Sequence, residues 1–450
     1  LEQTADPKRP LAPKASPARN WLVLIWPTAL SWWPELLLGA VALCMVLADG
    51  FRNYPGDPTV FYNYATQISQ GNIPYLDFPF EYPPLTIVSL MLPWLMSGGA
   101  PSIETYRFLL FFQNVGLAIG IGIGVSWLAR RGSSVESPLR SAVLYGLLTL
   151  ALVPVLVWRL DTVVAALTVV ALIAAASRRW AASGIALGAG VMTKLYPLAL
   201  LPVLALGPIV ERRWRPAILV AGACVATVLV IAAALFFIAG PSALYFVGYA
   251  TNRGVQIESV LGGLALLAAA LGGPRAQIGP GFGTFQVDST LLPALAVLGT
   301  VIIVAGVIAL GLAMWHRFRA DRRSFGAVRP SSQAAYALAA LLLVLATSRI
   351  LSPQYLFWMV PFAALVSRPK ALALLCACLL TTCVYPLHYQ EFLNQERSMI
   401  AAVNVRNALL LVVFAWQIWP DLGLAIRELL PRVRALVARV RRGAPKAPSS

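Results

Sequence analysis

The chain has 450 residues, of which 59% are apolar and only 12% charged, with a formal charge of +17 and a mean hydropathy of +0.75. A soluble domain carries about 25% charged residues, so a water-soluble fold is excluded. The positive charge is not that of a nucleic-acid binder: the basic residues stand in short clusters between apolar runs, no basic-and-aromatic platform accompanies them, and no nucleic-acid partner is expected.

Residues 1–20 are polar and carry Lys8, Arg9, Lys14 and Arg19 with several prolines. No small-residue cleavage site follows them, so they read as a flexible cytoplasmic tail and not as a signal peptide. From there to residue 420 apolar runs recur at lengths suited to a bilayer, which a helix crosses with roughly 20 residues. Two runs, 85–96 and 260–271, are too short to cross and are expected to lie in or dip into the outer face. The crossings then fall at 28–48, 106–129, 141–158, 162–176, 181–193, 195–210, 216–239, 291–315, 333–348, 354–367, 371–385 and 401–419. This describes an all-α polytopic membrane protein with about 12 transmembrane helices. Residues 21–420 form its membrane domain, 49–105 an external loop, and 421–450 a basic cytoplasmic tail that suits an amphipathic surface helix over 427–442.

Sidedness follows from the basic clusters. Arg130–Arg131, Arg178–Arg179, Arg212–Arg213, 317–323 and 432–442 all fall on one side, with both termini, and the positive-inside rule makes that side cytoplasmic. His316 belongs to the same belt. Only Arg52, Arg107, Arg159, Lys194, Arg253, Arg275, Arg349, Arg397 and Arg406 stand on the outer side, each as a single cation. Asp49, Asp57, Asp77, Glu81, Glu104, Asp161 and Glu258 share that side. The five cysteines lie in apolar helices and read as packing residues. Cys376 and Cys378, two apart, face different ways.

The outer loop is the richest segment. Asp57-Pro58 has the grammar of a helix N-cap and first residue. Val60, Phe61, Tyr64, Ala65 and Ile68 share one face, and Gly71 ends the element. Residues 58–70 are therefore expected to form an amphipathic helix on the outer surface. Asp77 and Glu81 follow in the proline-rich stretch Gly71-x-x-Pro74-Tyr75-x-Asp77 and Glu81-Tyr82-Pro83-Pro84. Asp57 reads equally as a cap and as a carboxylate able to take a hydroxyl proton.

The outer cations suit an anionic phosphate at the membrane boundary. Lys194 and Arg349, with Arg253, are the candidate phosphate ligands, because a guanidinium binds phosphate through a fork and Lys supplies a compact charge. Arg159 and Asp161, two apart across a turn, are expected to pair with each other. His388, between Leu387 and Tyr389, reads as a loop residue or a binding group. No histidine–carboxylate cluster has metal-ligand spacing, so neither metal nor cofactor is expected.

The early external Asp, the Tyr-rich helix, Pro74-Tyr75-x-Asp77 and Glu81-Tyr82-Pro83-Pro84 resemble glycosyltransferase family 87. The resemblance continues through Arg159-Leu160-Asp161, Lys194-Leu195-Tyr196-Pro197, Arg253 to Ser259, Ser352-Pro353-Gln354-Tyr355, Tyr385-Pro386 and Arg406-Asn407. It implies a C-type glycosyltransferase fold and a polyprenol-phosphate-mannose-dependent mannosyltransferase of the phosphatidylinositol mannoside type, in the plasma membrane with its active site outside. The first external Asp, here Asp57, would be the general base, with Asp77 as the alternative. Asp77, Glu81, Tyr82 and His388 would organise the loop or contact the acceptor, a glycolipid or polysaccharide embedded among membrane lipids. The rival expectation is a transporter or flippase of a lipid-linked saccharide. Such proteins commonly show internal repeats and mid-membrane charges; no repeat is visible here.

Overall fold

A computed structural model describes residues 38–39, 57–133 and 137–443, with side chains through 431 in the last helix. Asp49, the expected first crossing at 28–48 except for two residues, and the tail at 1–20 lie outside the described residues.

In chain order the main elements are α1 (Asp57–Ser69), α2 (Thr86–Met96), α3 (Ile103–Leu128), α4 (Pro138–Leu150), α5 (Asp161–Ala176), α6 (Trp180–Val191), α7 (Leu201–Val210) and α8 (Trp214–Ala239). They continue through α9 (Tyr245–Asn252), α10 (Val260–Ala270), β1 (Ala276–Gly281), β2 (Thr284–Ser289), α11 (Leu292–Phe325), α12 (Pro330–Thr347), α13 (Arg368–Thr382) and α14 (Arg397–Gly443). Among the described residues six helical segments are long and apolar enough to cross a membrane: Ile103–Gly132, Trp214–Asn252, Leu292–Phe325, Pro330–Thr347, Arg368–Leu387 and Arg397–Pro431. Each contains one of the expected crossings.

Shorter apolar helices, Asp161–Ala176, Trp180–Val191 and Tyr196–Val210, fall at the expected 162–176, 181–193 and 195–210, whereas the run expected at 141–158 is broken: its helix ends at Leu150 and a separate single turn, Val153–Leu156, follows. The one expected at 354–367 is not a continuous helix. It is a tight turn at Pro353–Trp358 and a single helical turn at Val360–Ala363, since Pro353 and Pro361 each remove a backbone donor. α2 and α10 have 11 residues each, about 16 Å of helix against roughly 30 Å of hydrocarbon. The last helix does not stop near residue 420. It runs 47 residues through Pro420 and Pro431.

Three cores divide the packing. The main one fills the bundle between α3, α4, α5, α12 and α13. An aromatic one clasps α1 through Phe61, Tyr75, Phe80, Trp94 and Tyr106. The third, with Ile257, Val287, Val384, Phe392 and Ile400, joins the hairpin to the start of α14. Phe61 and Ala65 of α1 face inward as their spacing predicts, whereas Val60 is exposed. α6 and α8 approach closely at Gly184, where an added Cβ would stand 2.3 Å from the Val220 carbonyl. That is the small-residue contact by which membrane helices pack without a hydrophobic drive.

The all-α expectation misses one element, the antiparallel hairpin β1–β2, in which Ile278 pairs with Val287. Its two-residue turn, Phe282-Gly283, has φ of 52° and 67°, the double positive φ of a type I′ connection.

α11 links the two ends of the protein. Its first turn packs into the third core through Leu292 and Leu295. Roughly 40 Å farther along, Arg317 pairs with Asp321 at 3.3 Å, and Arg329 reaches the same carboxylate. His316 sits there between Asp421 and Glu428. The clustered arginines thus occupy one end of this helix, and the hairpin occupies the other.

Candidate active site

The turn between α4 and α5 brings Arg159 and Asp161 into one cleft, and a buried asparagine shapes it. Asn114, on α3, donates from Nδ2 to the carbonyls of Val157 and Arg159, both at 2.8 Å, and accepts from the Thr162 hydroxyl at 2.5 Å. These bonds satisfy carbonyls that a turn inside a bundle would otherwise leave unpaired. The turn sends Arg159 and Asp161 in different directions, so the expected pair between them does not form. Asp161 opens α5 with its side chain buried, while Arg159 projects from the preceding turn toward α1.

Each finds another partner. The Arg159 guanidinium forms an ion pair with Asp57 at the start of α1, and its Nη2 donates to the Tyr385 hydroxyl at 3.0 Å. Lys194 Nζ meets Asp161 Oδ1 at 2.6 Å, and the same oxygen accepts from Trp358 Nε1 at 2.6 Å. Lys194 also stands 4.3 Å above the Tyr355 ring and 5.2 Å from that of Trp358. Tyr196, Trp358 and Tyr355 form a continuous stack beneath it. The desolvated ammonium thus gains the quadrupole of two aromatic faces as well as a carboxylate.

Both pairs line one cleft, with Phe61, Tyr82, Thr86, Thr193 and Gln354 among its walls. The loop before α2 is sewn to the loop after α6: Leu85 N–H donates to Met192 O at 2.9 Å and the Thr86 hydroxyl to Thr193 O at 2.8 Å. Free space in the cleft is about 30 Å³, the room of a single water. The Asp57 side chain remains 33% exposed and that of Asp161 only 4%. Of the two carboxylates, Asp57 is therefore the more accessible.

The other residues singled out from the sequence are distributed around this centre. Tyr82 lines the cleft, and burial together with the charge of Glu81 pushes its phenol well up. Glu81 also acts on Tyr64, raised to about 12 mainly by burial. Asp77 is exposed and accepts the Ile73 N–H at 2.6 Å, a tie within its own loop. Arg253 lies against Tyr249 and donates to Phe282 O and Thr284 Oγ1 of the hairpin. The side chain of Arg349 is exposed, while its carbonyl accepts the Gln256 N–H at 2.9 Å. Of Lys194, Arg253 and Arg349, only Lys194 lines the cleft, and Lys194 is not the solitary cation its sequence position suggests. His388 is exposed and its Nδ1 lies 2.9 Å from Cys383 O, away from the cleft lining.

Behind Arg159 lies a charge pair that spacing alone does not reveal. Glu258 is buried, with its carbonyl accepting from Arg406 Nη2 at 2.7 Å and its Oε2 3.9 Å from the same nitrogen. Burial raises the Glu258 carboxyl to about 7, against the downward pull of Arg406 and Arg159. A folded value above the ordinary 4.5 means that the folded protein keeps a proton the unfolded chain releases. Glu258's contribution to stability is thus complete below about 4.5 and is lost as pH rises through about 7. Thermal melts of detergent-solubilised protein from pH 4.5 to 8 should show this decline, and Glu258→Gln should flatten it. An identical slope in that variant would assign the dependence to other groups.

Asn114 and Arg159 are the residues that sequence reasoning missed or misread. A hint was present, since Gln113-Asn114 is a polar break in an otherwise apolar run. Replacing Asn114 with Leu should cost about 1–3 kcal/mol for each carbonyl left unpaired. It should also displace Arg159 from Asp57, seen as a lower melting temperature in thermal denaturation of the purified variant.

No family model matches the chain, and no curated protein matches it either. Among solved structures it is similar to two of ArnT from Cupriavidus metallidurans. The one bound to undecaprenyl phosphate is 17% identical with a TM-score of 0.45. The apo structure is 18% identical with a TM-score of 0.43. Each alignment covers 91% of this chain and 78% of the ArnT chain.

Proposed function

We propose that the chain is a membrane glycosyltransferase that moves a sugar from a polyprenyl-phosphate donor to a lipid-linked or polysaccharide acceptor. The observation that carries this reading is the pair of adjacent ion pairs, Asp57–Arg159 and Asp161–Lys194, in one cleft. An incoming phosphate competes with Asp57 for the Arg159 fork. Donor binding then liberates the Asp57 carboxylate at the moment a base is needed, and the cation neutralises the departing phosphate. The acceptor hydroxyl attacks the anomeric carbon, its proton passes to Asp57, and the carbon–oxygen bond to phosphate breaks with both electrons leaving on polyprenyl phosphate. This single displacement inverts the anomeric centre.

Lys194 stays on Asp161 and adds positive potential from the opposite wall, while Arg349 and Arg253 lie nearer the hairpin, along the approach of the donor. Mannose is the sugar implied by the sequence resemblance. The clustered cations at the far end of α11 favour the inner face of the plasma membrane for that end. The cleft then opens outside, with both termini cytoplasmic.

Purified protein in nanodiscs, assayed against polyprenyl-phosphate mannose, arabinose and other sugars with glycolipid acceptors, tests the reading. Transfer from one donor, abolished in Asp57→Asn, supports it. Movement of lipid-linked saccharide across vesicles that survives Asp57→Asn, without transfer, replaces it with a flippase.

A further inference from the structure

A second cavity, of about 330 Å³, opens beside the hairpin and shares no residue with the cleft. Its walls carry Arg275, just before β1, and Arg397, the first residue of α14, with Gln277 and Gln395 between them. Ala270 and Ile400 contribute an apolar floor. Neither arginine forms an ion pair with a described carboxylate. Glu396, beside Arg397 in sequence, and Asp288, across the strands from Gln277, do not line the cavity. Two positive forks therefore line a polar hollow that no described carboxylate lines.

The hollow is held in shape. Gln395 adopts a φ of 60° and its Nε2 donates to Ala276 O at 3.2 Å, fastening the start of α14 to β1. The surroundings indicate where the occupant comes from. Leu271, at the end of α10, is 80% exposed, and Val297, Leu298 and Val301 on α11 expose an apolar face. That face begins at the hairpin and continues along a helix long and apolar enough to span a bilayer. A free anion would need only the arginines, whereas a lipid would also use this apolar path.

We propose that this cavity is a phosphate site for an anionic membrane-lipid headgroup, with the acyl chains lying along α10 and α11. A guanidinium fork matches two phosphate oxygens, so the site takes phosphomonoester or phosphodiester headgroups and discriminates against zwitterionic ones. It stands independently of the transferase reading.

Native mass spectrometry of the full chain in detergent, titrated with phosphatidic acid, phosphatidylglycerol and phosphatidylcholine, tests it. Wild type should retain the two anionic lipids over phosphatidylcholine. Arg275→Ala/Arg397→Ala should weaken their binding about tenfold, and the double Lys variant should restore most of it. Both arginines are exposed, and an unchanged melting temperature will confirm that the alanine variant folds. Equal retention of phosphatidylcholine, or full anionic-lipid binding by the double alanine variant, overturns the proposal. So does displacement of the bound lipid by millimolar inorganic phosphate, which would make the occupant a free anion.

Discussion

Asp57→Asn should lower turnover by about 10²–10⁴-fold, the usual worth of a positioned general base, while lipid-phosphate binding becomes tighter. The second half of that expectation is the more diagnostic. In the resting protein the Arg159 guanidinium is occupied by the Asp57 carboxylate, so any phosphate must first compete with an internal anion. Asparagine removes the charge but keeps the shape, and the guanidinium becomes available. Isothermal titration with a short-chain polyprenyl phosphate reads the affinity, and single-turnover transfer reads the chemistry. Weaker binding in the variant would mean that Asp57 builds the phosphate site instead of competing for it. Unchanged turnover would remove Asp57 as the base.

Lys194→Met should be among the most destabilising single substitutions in the protein. It strands the Asp161 carboxylate, whose side chain is 4% exposed, with only the Trp358 N–H as a partner. Breaking a buried pair from one side costs about 3–5 kcal/mol. The double variant Asp161→Asn/Lys194→Met removes both charges and should recover much of the melting temperature, because the cost comes from the unpaired charge. Donor binding should not recover with it, since the Lys194 ammonium that lines the cleft is gone. Recovery of both would show that Lys194 serves folding alone. No loss of stability in Lys194→Met would mean that water reaches Asp161 freely.

How far the fold could be read from the sequence varied from element to element. α1, described over Asp57–Ser69, covers nearly all of the expected 58–70 and buries Phe61 and Ala65 as their spacing requires. The long runs at 216–239 and 291–315 reappear inside helices with mostly exposed apolar faces, because a lipid-facing helix is apolar all round and composition alone identifies it. The hairpin escaped, although alternation at Ile278, Phe285 and Val287 around Phe282-Gly283 was its signature. In a chain this apolar, two short strands give a weak signal beside many helices. The segment at 354–367 failed for a related reason: hydrophobicity marks burial without distinguishing a crossing from a buried turn.

Residue order, composition and proline placement were enough to determine a polytopic helical protein, the position of α1, and the separation of single charges from clustered basic ones. Those properties are local, depending on transfer of side chains into lipid and on backbone grammar. Which charge meets which was decided only in three dimensions. Arg159 and Asp57 are far apart in sequence, as are Asp161 and Lys194, and the choice turns on how Asn114 bends one turn inside the bundle. A carboxylate's partner depends on direction and distance through space, and sequence spacing fixes these only within one helix or strand.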